Sequence, residues 1–272
     1  MDFLTNSIPG GTPIEFKPWE IPNDKFIHKG TFNPGLNEYY FTVSDKQFER
    51  FDVFMQKKEN GSWSEPEQAF FNSKYSEHGM SFSPDGKVLF FSSTRPSNMK
   101  GIPETWHIWS CIKIDGKWSK PVFLNIPNVE NKLVSHPSIS SFGTMYFHAS
   151  NLDFSEMDIY FSKQVDGNFE AAQKALIELD TPIGKCTPYI SPTEDYLIFA
   201  SIGEELDLFV TFKDGFGKWT NTKKLSDKIN NKGQGNPYVT ADDKFLFYTA
   251  IDSNSAAWKI MWINIEAELK AN

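Results

Sequence analysis

Three of the five histidines in the chain stand in short runs of similar character: Ile27-His28-Lys29, Glu77-His78-Gly79 and Ser135-His136-Pro137. Two more runs, Cys186-Thr187-Pro188 and Gly235-Asn236-Pro237, continue the series without a histidine. Neutral imidazoles presented from separate segments can share one divalent transition ion, whether Mn, Zn, Ni or Fe. Here His28, His78 and His136 would be the ligands, with Gln234, Glu77 or solvent completing the shell and one position left open for substrate. The competing reading needs no ion: the same residues are then polar groups that bind backbone and a ligand at strand starts. Gln234 and Asn236 are ligand-binding candidates on that surface. So are His148 and Asn151, which close the run Phe147-His148-Ala149-Ser150-Asn151. The spacing slips by one residue, because His136 aligns with Gly79 and not with His78, and a slip of one turns a strand side chain to the other face.

Bringing these runs together requires a repeat, and the sequence has one. The segments TFNPGLNEYYF (31–41), SFSPDGKVLFF (81–91), SISSFGTMYF (138–147), YISPTEDYLIF (189–199) and YVTADDKFLFY (238–248) each read as strand, turn and strand. In Pro84-Asp85-Gly86 proline presets φ and glycine takes the position where φ is positive; Asn33-Pro34-Gly35 is a variant of the same turn. A third strand begins at Asp52-Val53-Phe54, His107-Ile108-Trp109, Asp158-Ile159-Tyr160, Asp207-Leu208-Phe209 and Lys259-Ile260-Met261. Asp52, Asp158, Asp207 and His107 read as structural groups at that repeat position, accepting backbone N–H bonds where the strand opens.

A glycine turn into an aromatic residue follows four times, at Gly61-Ser62-Trp63, Gly116-Lys117-Trp118, Gly167-Asn168-Phe169 and Gly217-Lys218-Trp219. The tryptophans read as packing between blades. The fifth repeat lacks this segment, whereas the chain opens with Pro13-Ile14-Glu15-Phe16-Lys17-Pro18-Trp19-Glu20-Ile21-Pro22, which matches Lys120-Pro121-Val122-Phe123-Leu124-Asn125-Ile126-Pro127. The pattern predicts an all-β protein, a five-bladed β-propeller of four-stranded antiparallel blades whose last blade is closed by the N-terminal strand. Residues 1–272 form a single domain, with 1–26 closing the ring. The blades then span about 27–75, 76–133, 134–184, 185–233 and 234–268. First strands line the central channel, so the five runs meet at its mouth. The loop 94–105, long and containing Pro and Gly, is a candidate lid or rim.

Composition sets limits on function. Aromatics at 15%, with 25 Phe, suit pleated half-buried surfaces. A net charge of −8 argues against a nucleic-acid partner, which needs clustered Lys and Arg. No run reaches the roughly 18 apolar residues of a membrane span. The opening MDFLTNSIPGG has neither a basic nor an apolar export region, so the compartment expected is cytoplasmic as the sequence stands, or periplasmic or secreted if a signal peptide was removed. Cys111 and Cys186 occupy non-equivalent positions and indicate no disulfide framework. There is no G-x-S-x-G, H-E-x-x-H or P-loop.

SFSPDGKVLFFSSTRP followed by a third strand of the Asp-Ile-Tyr type resembles the WD-repeat-like propeller repeat of TolB-type and tricorn-type proteins, along almost the whole chain. That resemblance implies the fold and leaves function open. The arrangement of histidines is similar to that of the oligogalacturonate lyases, seven-bladed propellers that hold a divalent metal through three His and a Gln. The similarity would make Arg95 a base or substrate-carboxylate anchor, with Glu77 beside it in catalysis. Two functions are therefore expected as alternatives. One is a binding propeller taking a small molecule, glycan or peptide at the channel mouth; the other is a metal-dependent lyase or hydrolase acting there on an acidic or oligosaccharide substrate.

Overall fold

The computed structural model describes residues 7–17, 19–20, 22, 24–180, 183–231, 233–251 and 257–270. Its described residues form five antiparallel sheets and no helix, so none is long and apolar enough to cross a membrane. In the first blade β2 (Lys25–Phe32), β3 (Glu38–Asp45) and β4 (Phe51–Glu59) are followed by two short outer strands, β5 (Ser62–Trp63) and β6 (Glu67–Gln68), both paired with β4. The second blade repeats this with β7 (Glu77–Phe82), β8 (Val88–Ser93), β9 (His107–Ile114), β10 (Lys117–Trp118) and β11 (Val122–Phe123). The third has β12 (Leu133–Ile139), β13 (Thr144–Ser150), β14 (Asp158–Val165), β15 (Asn168–Phe169) and β16 (Gln173–Lys174). In the fourth, β17 (Gly184–Ile190), β18 (Tyr196–Ile202) and β19 (Leu206–Lys213) carry a continuous outer strand, β20 (Trp219–Lys224). The fourth strand expected from the glycine turns is thus split in two in three blades.

The fifth blade contains β21 (Gly235–Val239), β22 (Phe245–Ile251) and β23 (Trp258–Asn264), and its outer strand is β1 (Ile14–Glu15). The register is the one the sequence match implies. Ile14 and Glu15 face Trp262 and Met261, as Val122 and Phe123 face Ser110 and Trp109 in the second blade. One backbone bond marks this position in every blade: Ala69, Leu124, Ala175, Leu225 and Phe16 donate N–H to the carbonyls of Val53, Ile108, Ile159, Leu208 and Ile260. Pro18 and Ile21 of the matched segment lie outside the described residues.

Sheets pack face to face, and hydrophobic clusters fill the junctions. Phe41 and Phe247 share a cluster across the junction of the first and last blades, where Phe16 is also buried. Tyr40 and Phe91 lie in the next junction, Phe90 and Phe147 in the third, Tyr146 and Phe199 in the fourth, Ile198 and Leu246 in the fifth. Adjacent residues of one second strand, Tyr40 and Phe41 for example, thus serve opposite junctions, as strand alternation requires. The repeated aspartates are held mainly by cations of their own blade and not by the expected backbone bonds. Asp52 pairs with Arg50 at 2.6 Å, Asp158 with Lys174 at 2.7 Å and Asp207 with Lys224 at 2.7 Å; only Asp158 takes a backbone N–H as well, that of Ile159 at 2.8 Å.

Candidate functional site

The histidine runs lie inside the first strands and not ahead of them. Each first strand breaks register against its second strand at the same place: between Ile27 and Gly30, His78 and Ser81, Ser135 and Ser138, Cys186 and Tyr189, and Gly235 and Tyr238. These are bulges, which re-aim side chains and leave backbone groups unpaired in the ladder. The equivalent residues Gly79, His136, Thr187 and Asn236 have φ of 64°, 56°, 46° and 53°. At Gly79 a Cβ would lie 3.2 Å from Ser92 Oγ and 3.3 Å from His136 Cα, so the second blade uses glycine where the third presses close.

The freed N–H groups bind the preceding blade. His136 N–H donates to Ser92 Oγ at 2.9 Å, Thr187 N–H to His148 Nδ1 at 3.2 Å and Asn236 N–H to Thr187 Oγ1 at 3.3 Å. The bulge therefore joins the third, fourth and fifth blades each to the one before it.

Above this ring is a cavity of about 400 Å³, lined by His28, Lys29, His78, His136, Thr187 and Asn236 below and by aromatic residues around its wall. Phe48 and Phe51 come from the first blade, Trp106 from the second, Phe154 from the third, and Trp258 from the fifth, with Leu206 of the fourth between them. Phe48 and Phe154 are 43% and 59% exposed. The rings touch one another: Phe48 to Trp258 at 5.7 Å, Phe51 to Trp106 at 5.8 Å and Trp106 to His78 at 4.0 Å between centroids. Among the described residues no Asp or Glu lines the cavity.

Inside the cup, His78 lies 4.4 Å from His136, and His136 stacks on His148 at 4.9 Å. Ser135 Oγ is 3.1 Å from His136 Nδ1 and 3.4 Å from His78 Nε2. The hydroxyl has one proton to give, so at most one of the two imidazoles accepts from Ser135 and at least one donates to it. Burial first, then the neighbouring imidazoles and Lys29, hold His78 and His136 well below the usual imidazole range. Burial alone lowers His28 and His148 to about 4. All four rings are neutral at pH 7.

His28 is grouped differently from the other two histidines of the sequence reading. It faces Phe51 at 5.5 Å and Trp258 at 5.2 Å. Its Nε2 is 2.7 Å from Ser44 Oγ, whose own proton goes to the Asp45 carbonyl at 2.8 Å. Nε2 of His28 is therefore the donor, and the one lone pair of this neutral ring is on Nδ1. His148 spends its Nδ1 lone pair on Thr187 N–H. Among the described residues no group of three or more His, Cys, Asp and Glu could hold a metal ion. The described residues thus show no three-imidazole centre.

Arg95 and Glu77 are brought together, but with each other and outside the cavity lining. Glu77 is fully buried and takes Arg95 Nη2 at 2.7 Å, Ser73 Oγ at 2.7 Å and Ser93 Oγ at 3.1 Å. Arg95 also donates to the Phe71 carbonyl and lies over Phe91 and Trp109. The pair holds the end of the second blade together. Gln234 is buried beside Asn231 and lines no part of the cup, and its Oε1 has no partner. Asn151 binds Lys132 and Ser155 within its loop. Asn236 does line the cavity, with a buried Oδ1 that has no hydrogen bond. The loop 94–105 contributes no lining residue, although Trp106 directly after it does.

The aromatic wall escaped the sequence reading. A signal for it exists at one repeat position: the residue just before each third-strand motif is Phe51, Trp106, Met157, Leu206 or Trp258, apolar in all five blades.

No protein-family model and no curated protein matches the chain. Solved structures do. TolB from Acinetobacter baumannii superposes with a TM-score of 0.54 at 11% identity, covering 87% of this chain and 54% of that one. The chain thus spans about half the length of TolB. A protein of unknown function from Dyadobacter fermentans gives a TM-score of 0.60 at 12% identity, covering 95% and 84%. A GH43 endo-arabinanase from Bacillus licheniformis gives 0.56 at 14% identity, covering 90% and 96%. At these identities the likeness is one of fold.

Proposed function

We propose that this propeller is a binding protein whose channel mouth takes a small molecule with a flat apolar face, a planar ring or the face of a sugar. The observation that carries the reading is the wall: every blade sends an apolar residue to the same rim, and Phe48 and Phe154 stand half open to solvent there. Large apolar side chains facing solvent as a concave group are a recognition surface far more often than a packing residue. Aromatic rings gain area at little entropic cost because they have two side-chain torsions, and they favour offset or edge-to-face partners of similar shape. The floor adds direction through neutral imidazoles and Asn236. A cavity near 400 Å³ is at the small end of ligand sites, which favours a compact molecule over an extended glycan or peptide.

The test uses saturation-transfer NMR with indole, benzyl alcohol and methyl glucoside as probes, on the wild-type chain and on Phe51→Ala and Trp258→Ala. Transfer to at least one probe should be clear in the wild type and fall at least tenfold in both variants. Equal transfer in the variants, or none in the wild type, refutes the reading.

A further inference from the structure

One cation lies under the cup with no ion-pair partner among the described residues. Lys29 sits in the β2 bulge beside His28 and is 5% exposed. It lines the aromatic cavity on one side. It also lines a second cavity of about 300 Å³ on the opposite face, bounded by Pro34, Pro84 and Pro192 of the strand turns. Among the described residues no other lines both, so Lys29 stands between the two cavities. No hydrogen bond or ion pair engages it among the described residues. Among the described residues no Asp or Glu lines either cavity.

The described titratable groups that line the two cavities with Lys29, and His148 stacked on His136 behind them, carry no charge at neutral pH. His28 on its own strand, His78 on β7, His136 on β12 and His148 on β13 are all held below the imidazole range. Burial pushes the Cys186 thiol up to about 12 and raises the Tyr189 and Tyr238 phenols. The ionised groups on neighbouring strands are engaged elsewhere: Glu38 with Tyr40, Asp45 with the backbone of Glu49 and Arg50, Glu77 with Arg95, and Lys259 with Glu15. A buried ammonium without a counter-charge is unfavourable, and a ligand that brings the missing charge recovers that cost on binding.

We propose that Lys29 is an anion subsite of the cup, so that the ligand is a small carboxylate whose flat body lies on the aromatic wall and whose charged end reaches the amine. The inference rests on the binding reading above and names its ligand class. A single cation, with no arginine or second lysine lining either cavity among the described residues, matches a monoanion better than a dianionic phosphate. Thr187 and Asn236, which line the same cavity, are at hand for the second carboxylate oxygen. Burial lowers the amine to about 8, so it is mainly protonated at pH 7 and loses its proton as the pH rises past that value. Carboxylate binding raises it again by linkage.

The experiment compares benzoate with benzamide, close in shape and different in charge, by calorimetry at pH 7. Benzoate should bind at least tenfold more tightly to the wild type. The preference should vanish in Lys29→Met, persist in Lys29→Arg, and shrink at least fivefold at pH 9.5, while benzamide affinity stays the same throughout. Phenyl phosphate should bind no better than benzoate. Equal affinities for benzoate and benzamide overturn the anion subsite and leave the aromatic cup standing. If neither probe binds, the cup reading falls. Acetate then decides for Lys29 alone: at 50 mM it should move the midpoint of the Lys29 amine titration, followed by ¹⁵N NMR, upward by at least half a pH unit. An unmoved midpoint refutes the subsite.

Discussion

Replacing Phe16 by alanine removes the side chain that seals the ring. Phe16 is 1% exposed and directly follows Ile14 and Glu15, the residues by which the N-terminal strand pairs with the last blade. Its ring makes edge-to-face contacts with Tyr39 at 5.2 Å and Phe32 at 6.2 Å in the first blade, and with Phe247 at 5.0 Å and Trp262 at 5.6 Å in the fifth. Truncating a buried phenylalanine costs about 3–5 kcal/mol, transfer and residual cavity together. Here the upper half applies, because rigid rings of two blades surround the gap and collapse poorly. About 4 kcal/mol in a domain of this size is a fall in Tm of roughly 8–16 °C. The backbone bond from Phe16 N–H to Ile260 is kept, so the loss reports packing. Urea denaturation followed by tryptophan fluorescence, with calorimetry, measures it. Phe216→Ala, at a 93% exposed ring, is the control and should change stability by under about 0.5 kcal/mol. A loss below about 1 kcal/mol for Phe16→Ala would mean that the N-terminal strand does not close the ring in solution.

Two further outcomes follow. The unfolded chain takes protons on His28 and His148 near the ordinary imidazole value while the folded chain takes none until about 4. Stability should therefore fall as the pH drops from 6.5 to 4, by about 3 kcal/mol for each ring, and His148→Gln should flatten that slope in denaturation series across the window; an unchanged slope argues that the ring is charged or exposed when folded. Chelator should leave the Tm of purified, tag-free protein unmoved, since the described residues show no three-imidazole centre. Stoichiometric Mn, Zn, Ni or Fe that disappears in His78→Ala/His136→Ala would refute this.

Much of the architecture was legible because propeller blades are written in local chemistry. Pro84-Asp85-Gly86 and its relatives announce their turns, and Pro13-Ile14-Glu15-Phe16 could be aligned with Pro121-Val122-Phe123-Leu124 to the residue. The channel mouth was legible in part. The five runs do converge, but a bulge within the strand is a backbone event that no side-chain pattern displays, and it decides which ring faces which. It sends His28 to Ser44 and the aromatic wall while His136 joins His78. Arg95 and Glu77 were placed near the site by position along their strands. Their mutual pairing depends on the register of Glu77 against Ser93, which only the folded sheet specifies. The aromatic wall was present in the repeat one residue before each third-strand motif, where the aspartates drew attention first. Lys29 was visible as a letter in the first run. Its isolation was not, because the lack of a partner is a property of everything around it.

Closure by the N-terminal strand also orders events in time. Ile14 finds Trp262 only when the last blade exists. At ~5–20 residues per second of synthesis, the roughly 250 residues between them take about 12–50 s. Through that interval Phe16 and the open faces of the first and latest blades have no partner, and their strand edges are free to pair with other chains. Such a ring has a high contact order in its final step and gains its last cluster all at once. Refolding yield should thus be set by how well the four completed junctions hold while the fifth waits.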